Sequence, residues 1–537
     1  MGNKFGGLIL CCMVFAGCAE AAKHAPAPAT AFHVQAMPAA EAKSAVEAAP
    51  EFNTESYAHI TDNRFLSVAQ NPLSTFSIDV DTASYSNVRR FLNEGQLPPP
   101  GAVRIEEMLN YFTYDYPQPA DGVPFSVNVE IAACPWKAEH RLVRIGLKGK
   151  QIAAEKRPVS NLVFLLDVSG SMQDPSKLPL LKQGMKLLVD QLTENDRVAI
   201  VVYAGASGTV LNSTTADHKP AILSAIENLQ AGGSTNGAAG IEEAYRIASQ
   251  HFIKQGTNRV ILCTDGDFNV GQTSEDALTR LIEDKAKSGV FLSVLGFGTG
   301  NLKDSTMELL ADKGNGNYAY IDSLNEARKV LVDQMQGTLI TIAKDVKIQV
   351  EFNPARAAAY RLIGYENRLL AKEDFNDDKK DAGEIGAGHT VTALYEVDPV
   401  GASLTTASVD PLKYQPNATP TETKVTDTKF SDELLTLKLR YKQPAGDESQ
   451  LSEFPIADQD RPLAQASPDF AWAAAVAAFG MILRDSEFKG TATLPAVLEI
   501  AESSKGKDLS EYRAEFIRLV KLAIPLKQLN PAITKAQ

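Results

Sequence analysis

A chain of 537 residues exceeds one ordinary core, so two to four domains are expected at about 100–200 residues each. Its 44% hydrophobic and 22% charged residues exclude both a fibre and wholesale disorder. A net charge of −13 and the lack of a basic stripe exclude broad affinity for nucleic acid or anionic membrane, and suit a metal or a cationic partner.

Residues 1–18, MGNKFGGLILCCMVFAGC, carry one Lys, an apolar stretch too short to span a bilayer, and small residues before Cys18. This is the pattern of an export signal. FAGC, from Phe15 to Cys18, resembles the lipobox of bacterial lipoproteins, with Phe15 where Leu is usual. The resemblance implies cleavage before Cys18 and a lipid on its thiol; a simple cleaved signal with Cys18 incidental is the alternative. Ala19 after the Cys resembles the outer-membrane sorting pattern, so the expected location is the cell envelope, periplasmic or surface-facing if the cell has an outer membrane. Residues 19–55 are rich in Ala and Pro and poor in large apolar side chains, so they read as a flexible tether.

A segment over 56–157 follows. TASYSNVRRFLNEG opens with hydroxyl residues and ends at Gly, which predicts a helix with Asp81 or Thr82 as its cap. AVRIEEMLNYF gives a second helix, and FSVNVEIAAC and RLVRIGLKG alternate as half-buried antiparallel strands do. Over 158–341 the texture changes: NLVFLLD, RVAIVVYA, NRVILCTD and GVFLSVLGFG are continuous apolar strands separated by amphipathic helices. That pattern predicts an α/β domain with a doubly wound, mostly parallel sheet covered on both faces. Over 342–537, KDVKIQVEFNP, AAYRLIGYE, HTVTALYEVDP and ELLTLKLRYKQP return to strands, and the chain ends in helices. The strands on either side of the α/β domain are expected to pair into one β-sandwich, with that domain an insertion. AWAAAVAAFGMIL, from Ala471 to Leu483, is short for a membrane span and reads as a buried helix. Cys134 and Cys263 read as two separate core thiols, and the scattered His residues show no zinc spacing.

Asp167, Ser169 and Ser171 stand on alternate residues of DVSGSM, directly after an apolar strand. Alone they could be a nucleophile, a cap or half a metal site. Two further strand-end loops complete an oxygen set: GGSTNGAAGI with Thr235 and LCTDGDFNVG with Asp265. In such sheets ligands bind at the carboxyl ends of the strands. Hydroxyl and carboxylate donors alone suit a hard divalent ion, Mg²⁺ first, with Mn²⁺ or Ca²⁺ as alternatives. No His lies in these loops to act as a base, and the G-x-S-x-G elbow and P-loop patterns are absent.

D-x-S-x-S, a separate Thr and a T-D-G loop, in this order, resemble the metal-ion-dependent adhesion site of von Willebrand factor type A domains. The resemblance implies that Ser169, Ser171 and Thr235 ligate metal directly and that Asp167 and Asp265 act largely through water. It also implies a protein partner that supplies an Asp or Glu to an open metal position. NPLSTFSIDVDTASYSNVRRFLNEGQLPPPGAVRIEEMLNYF and VEFNPARAAAYRLIGYENR resemble the flanking regions of a bacterial group of exported proteins with this domain.

A rival cluster, Asp79, Asp81, Thr82 and Ser84, resembles the paired aspartates of haloacid dehalogenase-like phosphatases, but Ala83 stands where that family has Thr or Val. The cluster reads as structural, with a second cation at Asp79 and Asp81 as the alternative. The expectation is therefore a non-enzymatic, lipid-anchored binding protein of the cell envelope, attached to the membrane by its N-terminal lipid and binding no nucleic acid. A metal-dependent envelope hydrolase and a non-adhesive envelope scaffold are the alternatives.

Overall fold

Strand β5 (Ser160–Asp167) shows why the central sheet is apolar along its whole length: all eight of its residues are buried. Leu162, Phe164 and Leu166 enter one core, while Val163 and Leu165 enter another on the opposite face. The computed structural model describes residues 54–204, 207–233, 237–266, 275–401, 432–444 and 446–529. The export signal, Cys18 and most of the tether lie outside these residues.

Before β5 come β1 (Leu66–Ser67), β2 (Leu73–Ser77), α1 (Ala83–Asn93), α2 (Ile105–Asn110), β3 (Phe125–Cys134) and β4 (Lys137–Gly149). After it come α3 (Leu178–Gln191), β6 (Arg197–Tyr203), β7 (Ser207–Thr215), α4 (Lys219–Glu227) and α5 (Gly237–Gln250). The unit continues with β8 (Thr257–Thr264), α6 (Glu275–Lys287), β9 (Phe291–Phe297), α7 (Asp304–Lys313), β10 (Tyr318–Ile321), α8 (Leu324–Arg328) and α9 (Met335–Leu339). Its six-stranded sheet has the order β10-β9-β8-β5-β6-β7, parallel except for β7, which runs antiparallel to β6 at the edge. The chain reverses its direction of winding at β5 and β8, which makes the carboxyl ends of that pair the crevice of the sheet.

The remaining strands are β11 (Thr341–Phe352), β12 (Ala357–Ile363), β13 (Gly383–Gly386), β14 (Thr390–Pro399), β15 (Glu433–Lys442) and β16 (Ser449–Ala457). One sheet runs β1-β12-β14-β4-β3, and a second runs β13-β11-β15-β16 with β2 also on β11. Strands from before and after the α/β unit thus share both sheets, and the inner faces of the two sheets meet in one core containing Val143, Ile145, Ile348, Val350, Tyr395 and Leu437. The α/β unit is inserted between them. Its entry and exit are held by the same short segment: Gly149 N donates to His389 O at 2.8 Å, Gly388 N to Lys150 O at 3.1 Å, and Ala387 N to Ile340 O at 2.9 Å.

The outer face of the first sheet is covered by helices: α1, α2, α10 (Pro468–Arg484), α11 (Leu494–Ser504) and α12 (Tyr512–Leu529). Helix α10 starts where Ser467 accepts the Phe470 N–H at 3.1 Å, with Pro468 in its first turn, and ends at Asp485 in the left-handed region at φ 60°. Its Ala-rich stretch is buried throughout, and Gly480 lets it approach Ile105 of α2 closely. No described helix is long and apolar enough to cross a membrane. Cys134 and Cys263 are both buried and unbonded to each other.

Arginines from the flanking segments grip the inserted unit. Arg104 pairs with Asp304 and Glu308 of α7, and Arg368 reaches Glu308 and Asp312 of the same helix together with Asp79 and Asp81. Arg89 of α1 pairs with Asp322 and with Glu326 of α8, and on its other side with Glu515 of α12. The expected capping of α1 is corrected here. Thr82 occupies the cap position without a side-chain bond, and Asp81 instead accepts the Tyr318 N–H of β10 at 2.7 Å. The open end of α1 is met from a distance by Glu107, which accepts the Ser84 N–H at 2.7 Å.

Candidate metal centre

The parallel pairing of β5 with β8 sets Leu166 beside Cys263, so both strands leave the sheet together and deliver Asp167, Thr264 and Asp265 to one place. All three are fully buried. Asp167 turns the chain by accepting the Ser169 N–H at 2.8 Å, which swings the two serines back over the strand end. The Ser169 and Ser171 hydroxyls then lie 3.0 Å apart, the first buried and the second exposed. Thr264 donates to Asp167 Oδ2 at 3.4 Å, and its hydroxyl also accepts the Gly266 N–H at 3.2 Å, which shapes the turn after Asp265.

The structure thus brings together Asp167, Ser169, Ser171 and Asp265. Thr235 lies outside the described residues, but the chain leading to it is fixed against the same turn: Gly170 N donates to Gly233 O at 3.1 Å and Gly232 N to Val168 O at 2.7 Å.

Electrostatics favour a cation here. Burial, the largest influence, pushes the Asp167 carboxyl up to about 6 against the opposing Ser169 hydrogen bonds, and the neighbouring Asp265 charge pushes it further. A divalent cation held at these residues would offset that cost. Neutral hydroxyl oxygens at hydrogen-bond separation, backed by two buried carboxylates, fit a hard oxygen-seeking ion. Ser169, Ser171, Asp167 and Asp265 are the described residues that could hold it.

Three neighbours were not legible in the sequence. Lys177, just before α3, donates to Asp265 Oδ2 at 2.9 Å, and Asn301 donates to the same oxygen at 3.1 Å. Tyr203, at the end of β6, is buried beside Asp167, and that burial, reinforced by the carboxylate, holds its hydroxyl well above the usual phenol range. No spacing rule marks these residues, because each reaches the site from a different strand end or loop.

Three stretches of the chain match known protein families. Residues 161–336 match the family described as von Willebrand factor type A domain, residues 51–144 one described as von Willebrand factor, and residues 337–526 one described as Uncharacterized protein YfbK, C-terminal. The inserted unit is a von Willebrand factor type A domain, a class whose members commonly bind a divalent metal and mediate protein–protein contacts. Over 492 residues the chain is 47% identical to YfbK of Escherichia coli (strain K12), covering 90% of this chain and 83% of that one. It therefore belongs to the YfbK family. The human inter-alpha-trypsin inhibitor heavy chain H3 is 26% identical over 259 residues, 44% of this chain and 28% of its own. Among solved structures, the von Willebrand factor type A protein from Catenulispora acidiphila aligns at a TM-score of 0.40 and 17% identity, covering 73% of this chain and 89% of its own.

Proposed function

We propose that the chain is an exported, lipid-anchored, non-enzymatic binding protein of the cell envelope. Its von Willebrand factor type A domain takes Mg²⁺, or Mn²⁺ or Ca²⁺ in its place, at Asp167, Ser169, Ser171, Thr235 and Asp265, and binds a protein partner through an Asp or Glu side chain. The observation that carries this reading is the convergence of two buried carboxylates with two serine hydroxyls 3.0 Å apart at the crevice of the sheet. With hydroxyls as its direct protein ligands, the bound ion keeps much of its charge, so an external carboxylate becomes its best remaining ligand. The Ala/Pro-rich stretch over 19–55 would hold the domain off the membrane to which Cys18 is tethered.

The test is a pull-down from envelope extract with the full chain in mild detergent, in Mg²⁺ and in chelator, with Ser171→Ala alongside. A partner retained by the wild type only when metal is present, and lost by the variant, is the expected result. Equal capture by Ser171→Ala, or capture indifferent to chelator, would remove the adhesion reading.

A further inference from the structure

The ammonium of Lys177 is built into the candidate metal centre. Its Nζ lies 2.9 Å from Asp265 Oδ2, with the lysine side chain 7% exposed and the carboxylate fully buried. The stem is not a surface side chain that happens to reach inward. It crosses Gly298, whose backbone is at φ +71°, and a Cβ at that position would collide with the lysine Cγ, Cδ and Cε. Its backbone is pinned at the start of α3, where Lys177 N donates to Asp174 O and Leu181 N to Lys177 O, both at 2.9 Å. By contrast, the pair that Lys186 of α3 makes with Glu227 of α4 is largely solvated, with side chains 39% and 62% exposed. Screening that empties such a surface pair of energy does not reach Lys177.

Asp167 and Asp265 alone would be neutralised by a divalent ion, leaving a loaded centre with no net charge and little pull on an anion. With Lys177 in place the same centre carries one net positive charge, which a single external carboxylate cancels. A fixed positive charge a few ångströms from the ion opposes the ion's binding and favours the anion's.

We propose that Lys177 is a fixed counter-cation of the metal centre: it weakens the hold on the divalent ion and strengthens the loaded centre's hold on an external carboxylate. This rests on the metal-binding reading above and names the residue that tunes it.

The test measures Mg²⁺ binding to the full chain by calorimetry for the wild type, Lys177→Gln, Lys177→Arg and Gly298→Ala. Acetate binding to the Mn²⁺-loaded proteins is followed in parallel by water proton relaxation. Lys177→Gln is expected to bind Mg²⁺ about tenfold more tightly or better, and acetate several-fold more weakly, while Lys177→Arg, which keeps the positive charge, shifts both affinities less than Lys177→Gln does. Gly298→Ala displaces the lysine stem without removing its charge from the chain, and should move both affinities in the same direction as Lys177→Gln. It decides the matter alone if the lysine variant fails to fold. Unchanged or weaker Mg²⁺ binding in the folded Gln and Ala variants overturns the proposal and identifies Lys177 as a support for Asp265. A Ser171→Ala control separates the two readings. If it binds Mg²⁺ as the wild type does, the ion sits elsewhere, and the metal reading and the lysine proposal fall together.

Discussion

Glu107 of α2 joins two helices of the flanking scaffold: one carboxylate oxygen accepts the Ser84 N–H of α1 at 2.7 Å, and the other lies 3.1 Å from Arg104. A single side chain thus satisfies an open helix end and partners a guanidinium that is only 4% exposed. Glu107→Ala is expected to leave the Ser84 N–H buried without this acceptor and Arg104 with one carboxylate fewer, at a cost of about 1–3 kcal/mol. Urea unfolding followed by circular dichroism measures it. A loss below about 1 kcal/mol would mean that Asp304 and Glu308 hold Arg104 unaided and that the cap contributes little.

Arg89 is the corresponding link between scaffold and inserted domain. It reaches Asp322 and Glu326 on one side, Glu515 of α12 on the other, and the Tyr111 hydroxyl at 2.9 Å. Arg89→Met leaves these carboxylates facing one another with Lys329 as the nearby cation, which donates to Tyr111 O at 2.8 Å and lies over the Tyr111 ring. The expected cost is larger, about 3–5 kcal/mol, and it falls on the junction between domain and scaffold. Scanning calorimetry should therefore resolve the variant's unfolding into two transitions, with the inserted domain melting separately. A single transition at the wild-type temperature would show that Arg89 does not couple them.

Much of this architecture was legible in the sequence because apolar runs and alternation report burial directly. The strand Phe125–Cys134 and the buried helix through Ala471–Leu483 follow from pattern alone. Strand β7 was not legible: SGTVLNSTT sits at a half-exposed sheet edge, where no face needs to be apolar. Short β10 and β13 carry too few residues to show a period. At the candidate metal centre the oxygen donors announce themselves by spacing, whereas Lys177 and Asn301 reach Asp265 from positions 88 and 36 residues away in the chain. The capping of α1 misled for the same reason: Asp81 is the local candidate, but tertiary contact gives its carboxylate to Tyr318 and the helix end to Glu107.

Glu106 ties stability to pH. It is 1% exposed, and its Oε2 is buried with no hydrogen-bond partner among the described residues. Burial, followed by the charges of Glu366 and Asp79, pushes its carboxyl up to about 8 against the opposing pull of Arg484. Glu308 is pushed up to about 7, again chiefly by burial. Both folded values exceed the ordinary carboxylate value of 4.5, so between pH 4.5 and 7 the folded chain holds protons that the unfolded chain has released. Their contribution is fully present below the unfolded value and is lost as pH rises through the folded one. Stability should decline across that window, each group contributing at most about 1.4 kcal/mol per pH unit. Above it, Lys329, lowered to about 7 by burial, acts in the opposite sense, because its charged form is costly in the folded chain. Glu106→Gln should flatten the decline in urea-unfolding free energy between pH 4.5 and 7. A slope unchanged by this substitution would assign the decline to the other buried carboxylates.

Metal should stabilise the inserted domain before any partner is present. An ion that binds only the folded chain adds about 2.7 kcal/mol when supplied at a hundred times its dissociation constant. The inserted domain unfolds together with its scaffold in the wild type, and at about 2 cal/mol/K per residue the unfolding entropy of so large a unit is on the order of 1 kcal/mol/K, so the expected rise in melting temperature is about 3 °C. The rise should vanish in chelator and be lost in Ser171→Ala, which removes the exposed one of two hydroxyls that lie 3.0 Å apart. The same titration separates an adhesion site from a scaffold whose ion merely braces its loops. If the ion only braces loops, an added free carboxylate such as acetate leaves the metal-bound melting temperature unchanged. If it presents an open position, acetate raises that temperature further in the wild type and has no effect in chelator, since the anion then has no ion to bind.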